Sequence, residues 1–185
     1  MKREKKKEPE NKPNASIIDR LPVNKNVLKF IALLLFYSIT LIIIFLEGSG
    51  QQEFFIELTA KTTAAVLNLV GINAVLIGNS TITLPGLTLE IISECTGVLS
   101  MIAYAACVLA YPATWKKRAI GILFGIPSLF IINITRLVFL AFIGIHYSAE
   151  IFDYMHGYLW HVTLIIFVVL VWMFWIEKVV GKETS

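Results

Sequence analysis

Two cysteines, Cys95 and Cys107, stand twelve residues apart in a chain of 185, and only the first has neighbours suited to chemistry. A thiol attacks an acyl carbon as its thiolate, which a nearby cation and a helix N-terminus both stabilise. Cys95 follows Glu90 and Glu94 where a turn-rich stretch hands over to an apolar helix, so it is expected at a helix start, exposed enough to react. Cys107 falls inside the small-residue stretch 105–110 and reads as packed filler. Placed on one helix at 1.5 Å per residue, the two thiols are about 18 Å apart, too far to pair within one chain.

The cation is Arg136. It lies within the apolar run 129–142, where a guanidinium costs at least about 2.5–3.5 kcal/mol unless a partner or a cavity compensates. Counting about 18 residues from Arg118 at roughly 1.5 Å each puts Arg136 near the outer membrane boundary, the depth expected for Cys95. Asn133 is three residues earlier and shares its helix face, able to hold the guanidinium or to donate a hydrogen bond itself.

The three histidines, His146, His156 and His161, collect at the same end. His156 is the best placed for acid–base work, since it is expected at a loop-to-helix junction with Asp153 near enough to orient its imidazole. His161, five positions on, lies about 140° round the helix. That spacing differs from the i, i+4 histidine pair of helical zinc sites, so neither a metal ligand set nor a cofactor site is expected. Hydrolase-elbow, nucleotide-loop and paired-cysteine motifs are also missing from the sequence.

Positioning these groups at one depth calls for membrane helices. The apolar fraction is 57% against about 45–50% in soluble domains, and several stretches approach the roughly 20 apolar residues that a span requires. The expected fold is an all-α integral membrane protein of four transmembrane helices, or five, with an external amphipathic helix and a small β-hairpin. Residues 1–26 are charged and form a flexible cytoplasmic tail; 27–47 is the first transmembrane anchor. The segment 48–93 holds an amphipathic helix over 51–70, whose Glu53, Glu57 and Lys61 argue against spanning, then a hairpin marked by Gly78-Asn79 and Pro85-Gly86. Residues 94–180 form a catalytic transmembrane core, and 181–185 a second cytoplasmic tail.

With four spans, the tail, Lys116-Lys117-Arg118 and the C-terminal lysines share one side, which the positive-inside rule makes cytoplasmic. The reactive trio then faces outside a cell membrane. The net charge of +3 reports this orientation, and nucleic acid is not an expected partner; membrane lipids are.

Glu94-Cys95-Thr96-Gly97, Asn133-Ile134-Thr135-Arg136 and His156 at the head of the last span resemble the exosortase/archaeosortase family of membrane transpeptidases in order and approximate spacing. So does the run before the cysteine, from Leu58-Thr59-Ala60 through Gly71-Ile72 and Gly78 to Ile82-Thr83-Leu84, and the likeness covers residues 51–175, closest to the family's compact forms. The resemblance implies a sortase-like cycle. Cys95 would attack near the C-terminal sorting signal of an exported protein that carries a transmembrane anchor, form an acyl-enzyme thioester, and pass the protein to an acceptor such as a lipid or glycan. Arg136 would stabilise the oxyanion or thiolate and His156 would shuttle protons, with Asn133, Glu94, Asp153 and His161 in support. Trp160 stands where the family often carries a glycine, which leaves the choice between His156 and His161 open. The competing expectation is a non-catalytic membrane scaffold in which Arg136 pairs with Glu94 or Asp153. A proton relay is disfavoured because the middles of the spans carry almost no ionisable groups.

Overall fold

The computed structural model describes residues 25–48, 50–147 and 149–181, with the side chains of 149–161 outside the described set. Most of the expected N-terminal tail and residues 182–185 also lie outside it. Five helices and one small sheet follow in the order α1 (Lys25–Glu47), α2 (Gln51–Leu69), β1 (Val75–Ile77), β2 (Thr81–Leu84), β3 (Leu87–Glu90), α3 (Val98–Ala110), α4 (Trp115–His146) and α5 (Ala149–Trp175). A 3-10 turn, Ser93–Thr96, joins the sheet to α3, and a π-helical turn, Ile176–Val180, extends α5. The chain is an all-α membrane protein carrying a three-stranded sheet.

Helix α1, helix α4 and the stretch Val162–Val180 are long and apolar enough to cross a membrane. Against the four spans expected, the remaining apolar helix, α3, has 13 residues and so a length of only about 20 Å. It packs against α1, α4 and α5, and its burial of Met101, Tyr104, Ala105, Ala106 and Val108 makes it the centre of the bundle. Large side chains of α1 such as Leu35, Phe36 and Ile39 stay exposed, as suits a lipid-facing surface.

Two glycines on α4 set the helix packing. A Cβ at Gly121 would run into the Trp175 indole, and one at Gly125 into the Tyr104 ring. Each aromatic therefore sits directly on the α4 backbone, where the Tyr104 hydroxyl donates to the Gly121 carbonyl and Trp175 Nε1 to that of Lys117, both at 3.0 Å. These rings join Met101, Val108, Leu129 and Val171 in the membrane core.

A second core lies at the other end of the bundle. Helix α2 forms where expected, but the face it turns inward is Thr59, Ala60, Thr63, Ala64 and Leu67, while Phe54, Leu58 and Leu69 remain exposed. Small residues let α2 approach the 3-10 turn and α4 closely, the device of small-residue packing in membrane helices. The expected hairpin is a three-stranded antiparallel meander, β1-β2-β3. Pro85-Gly86, with Gly86 at φ 82°, returns the chain into β3, with Leu84 opposite Leu87. Its inner residues Ile82, Leu84 and Ile91 pack with Ala60, Ala64, Leu67, Leu137, Ala141 and Cys95.

Candidate active site

Local hydrogen bonds fix the backbone around Cys95. Ile91 N–H closes the sheet onto the Ser80 carbonyl at 2.8 Å, and Cys95 N–H bonds the Ile92 carbonyl at 2.9 Å. The Thr96 hydroxyl donates to the Ser93 carbonyl at 2.7 Å and accepts from Val98 N–H at 3.3 Å. Gly97, at φ 73°, then redirects the chain into α3. Of the first-turn donors of α3, the Val98 N–H is thus already engaged by Thr96.

Helix α4 reaches the turn through Asn133, whose Nδ2 donates to the Cys95 carbonyl at 2.9 Å across a sequence separation of 38 residues. Asn133 is fully buried, and its Oδ1 has no hydrogen-bond partner among the described residues. Arg136 is also buried and acts electrostatically on the Cys95 thiol. The depth count from Arg118 had set Arg136 and Cys95 level, and the Asn133 hydrogen bond locks the same helix turn onto the cysteine.

Gly97 matters for a steric reason as well as a conformational one. An ideal Cβ there would stand 2.9 Å from Asn133 Cγ, in a backbone region that costs an L-residue about 1–2 kcal/mol. Gly97→Ala is therefore expected to push Asn133 off the Cys95 carbonyl. Misplacement of about 1 Å can cost roughly 10²-fold in rate, so processing should fall about 10- to 100-fold with modest loss of thermal stability. Unchanged processing by the folded variant would refute this coupling.

Cys95 differs from expectation in one respect: it is 5% exposed, because α2 and the sheet fold over the turn that carries it. It reaches the surface through a cavity of about 170 Å³ lined by Thr88, Leu89, Glu90, Ile91, Leu137 and Leu140. Burial pushes its thiol above the ordinary range, the Ile92 backbone and Arg136 pull it back down, and Glu94 adds to the rise. Desolvation wins, so the resting group is the neutral thiol. Alkylation of Cys95 by a small neutral reagent should accordingly rise with pH to a midpoint above the roughly 8.5 of a free cysteine. Glu94→Gln should move that midpoint down. A wild-type midpoint at or below 8.5 would contradict the balance.

The other expected residues distribute unevenly. Glu94 is exposed and borders a separate groove of about 350 Å³ between α3 and α5, with Gly97, Ser100 and Leu164 among its lining. His146 is spent on its own helix end: its Nδ1 lies 2.9 Å from the Phe142 carbonyl and its ring stacks on Phe142 at 4.2 Å. His156 falls inside α5, which begins at Ala149, and not at a loop-to-helix junction; nothing in 149–155 stops a helix. The side chains of Asp153, His156 and His161 lie outside the described residues.

Thr59 and Thr96 fall within the stretches that carry the family resemblance, yet neither they nor Thr63 stand out in the sequence as site residues. With Asn133 and Arg136 these three are the buried polar or charged side chains among the described residues, and α2, which carries Thr59 and Thr63, packs against the 3-10 turn. The threonine–alanine repeat of α2 was the available signal, since a helix facing lipid has no need of small residues at i, i+1, i+4 and i+5, two of them polar.

Compared with known families, residues 23–176, most of the chain, match the family described as transmembrane exosortase. No curated protein and no solved structure matches.

Proposed function

The chain belongs to the transmembrane exosortase family, a family of membrane transpeptidases, and from that premise we propose that it cleaves C-terminal sorting signals of exported proteins through Cys95. The observation that carries this reading is the contact of Asn133 with the Cys95 backbone beside the buried Arg136. It joins a nucleophile, a hydrogen-bond donor and a cation from segments far apart in sequence.

In this mechanism a base, His156 or His161, takes the Cys95 proton as substrate enters. The thiolate attacks the scissile carbonyl carbon, and the oxyanion that forms is stabilised by Arg136. Collapse breaks the C–N bond, the leaving amine takes the proton from the histidine, and a thioester remains on Cys95. An acceptor amine, hydroxyl or water then attacks that thioester and restores the thiol. Substrates are exported proteins with an anchor helix behind the signal, an acceptor other than water is a lipid or glycan nucleophile, and the site faces outside a cell membrane with the N-terminus cytoplasmic.

The intermediate is the test. Full-length protein incubated with an exported, anchor-bearing protein from its own genome should acquire added mass on the peptide containing Cys95, lost on hydroxylamine treatment as a thioester requires. Processing without any such adduct, or an adduct on another residue, would overturn the assignment.

A further inference from the structure

The cavity beside Cys95 has one wall that is not a helix. Strand β3 is one of the two edge strands of the sheet. Ile91 N–H bonds the Ser80 carbonyl, and the register pairs Thr81 with Glu90, so Ser80 and Ile91 are directly opposed as a bonded pair. Bonded and non-bonded pairs alternate along an antiparallel ladder. Ile82 with Leu89 and Leu84 with Leu87 are then the other bonded pairs. The backbone N–H and C=O groups of Thr88 and Glu90 therefore point away from β2, toward the open edge of the sheet.

Those two residues line the cavity that Cys95 also lines, facing Leu137 and Leu140 of α4. An open edge with donors and acceptors at every second residue is a template for one more strand. A lipid chain would find a wall of polar backbone groups there, whereas an extended peptide would satisfy them. At about 170 Å³ the cavity falls below the roughly 300–1,000 Å³ of a small-molecule pocket, in keeping with a single peptide side chain entering it. Glu90, exposed in that lining, disfavours acidic residues in the bound segment.

We infer that the peptide segment carrying the scissile bond binds in extended form as an added strand on β3, held through the backbone of Thr88 and Glu90, with its carbonyl delivered to Cys95 Sγ. The inference rests on the transpeptidase reading of Cys95. It assigns recognition to backbone geometry and to one apolar side chain between Leu137 and Leu140, and makes neutral or basic extended segments the preferred class.

The probe is acetyl-Val-Thr-Val-Ala chloromethyl ketone, which alkylates a thiol with loss of chloride, compared with 2-chloroacetamide, which carries no peptide backbone. On reconstituted full-length protein the peptide should label Cys95 at least 10-fold faster. Thr88→Pro, which deletes an outward N–H on an edge strand that tolerates proline, should abolish that advantage, and Thr88→Ala should keep it. Chloroacetamide labelling of each protein reports whether its site is intact, and the peptide rate is read as a ratio to it. Independently of any variant, N-methylation of successive peptide residues should slow wild-type labelling at every second position. A peptide advantage that survives Thr88→Pro in a protein with normal chloroacetamide labelling, or an N-methyl series without alternation, would overturn the added strand. A wild-type Cys95 inert to both reagents would instead overturn the transpeptidase reading itself.

Discussion

Replacing Cys95 with alanine is expected to stop processing altogether, with precursor accumulating at its full length and a rate loss on the order of 10³-fold or more. Removing a covalent nucleophile leaves only binding and oxyanion stabilisation, and single knockouts of such groups in other enzymes cost as much as removing the whole set. The fold should survive. Cys95 packs among Ala60, Ala64, Leu137 and Ala141, so alanine is in keeping with its surroundings, and the backbone carbonyl that Asn133 bonds is unaffected. The measurement is the ratio of cleaved to uncleaved exported substrate in membranes carrying equal amounts of each protein. Normal cleavage by the alanine variant would end the catalytic case and favour a scaffold.

Arg136→Gln should have the next largest effect, a fall in kcat of roughly 10²–10³-fold, the usual loss when a charge stabiliser is removed from an acyl-transfer site. Its side chain is buried and is one of the two influences that lower the Cys95 thiol. Two readouts should therefore move together. The alkylation midpoint of Cys95 should rise further, because the opposing positive charge is gone while burial remains, and kcat should fall with little change in KM. Arg136→Lys should recover the midpoint more than the rate, since an ammonium keeps the charge without the planar fork. If Arg136→Gln left both the pH profile and kcat unchanged, the residue would be structural.

The shared level of the α4 turn around Arg136 and the turn that carries Cys95 was legible in the sequence because helices have a fixed rise. Counting from the Lys116–Arg118 cluster placed Arg136 level with Cys95, and the hydrogen bond from Asn133 joins that turn of α4 to the cysteine. Turn chemistry was equally readable, since Gly78 and Gly86 both adopt positive φ where Gly78-Asn79 and Pro85-Gly86 announced reversals. Other features depend on tertiary packing that no local pattern encodes. Nothing in Glu94-Cys95-Thr96-Gly97 says that α2 will lie over the thiol. Strand β3 is four residues long, too short for its alternation to stand out. On α2 the large apolar Phe54, Leu58 and Leu69 stay exposed, while Thr59, Ala60, Thr63 and Ala64, inconspicuous one at a time, form the buried face with Leu67. The start of α5 was set too late because the polar residues around Asp153 and His156 suggested a loop, although none of them is a helix breaker.

Tyr104 and Trp175 resting on Gly125 and Gly121 act on α4 as two keys on one shaft. Each ring fits only at one angular setting, so together they fix the phase of α3 and α5 about α4. Asn133 is eight residues beyond Gly125, about 12 Å along the axis, and it inherits that phase as a lever arm inherits the angle of its pivot. Angular tolerance at the thiol is thus set at the far end of the molecule, among residues that never touch a substrate.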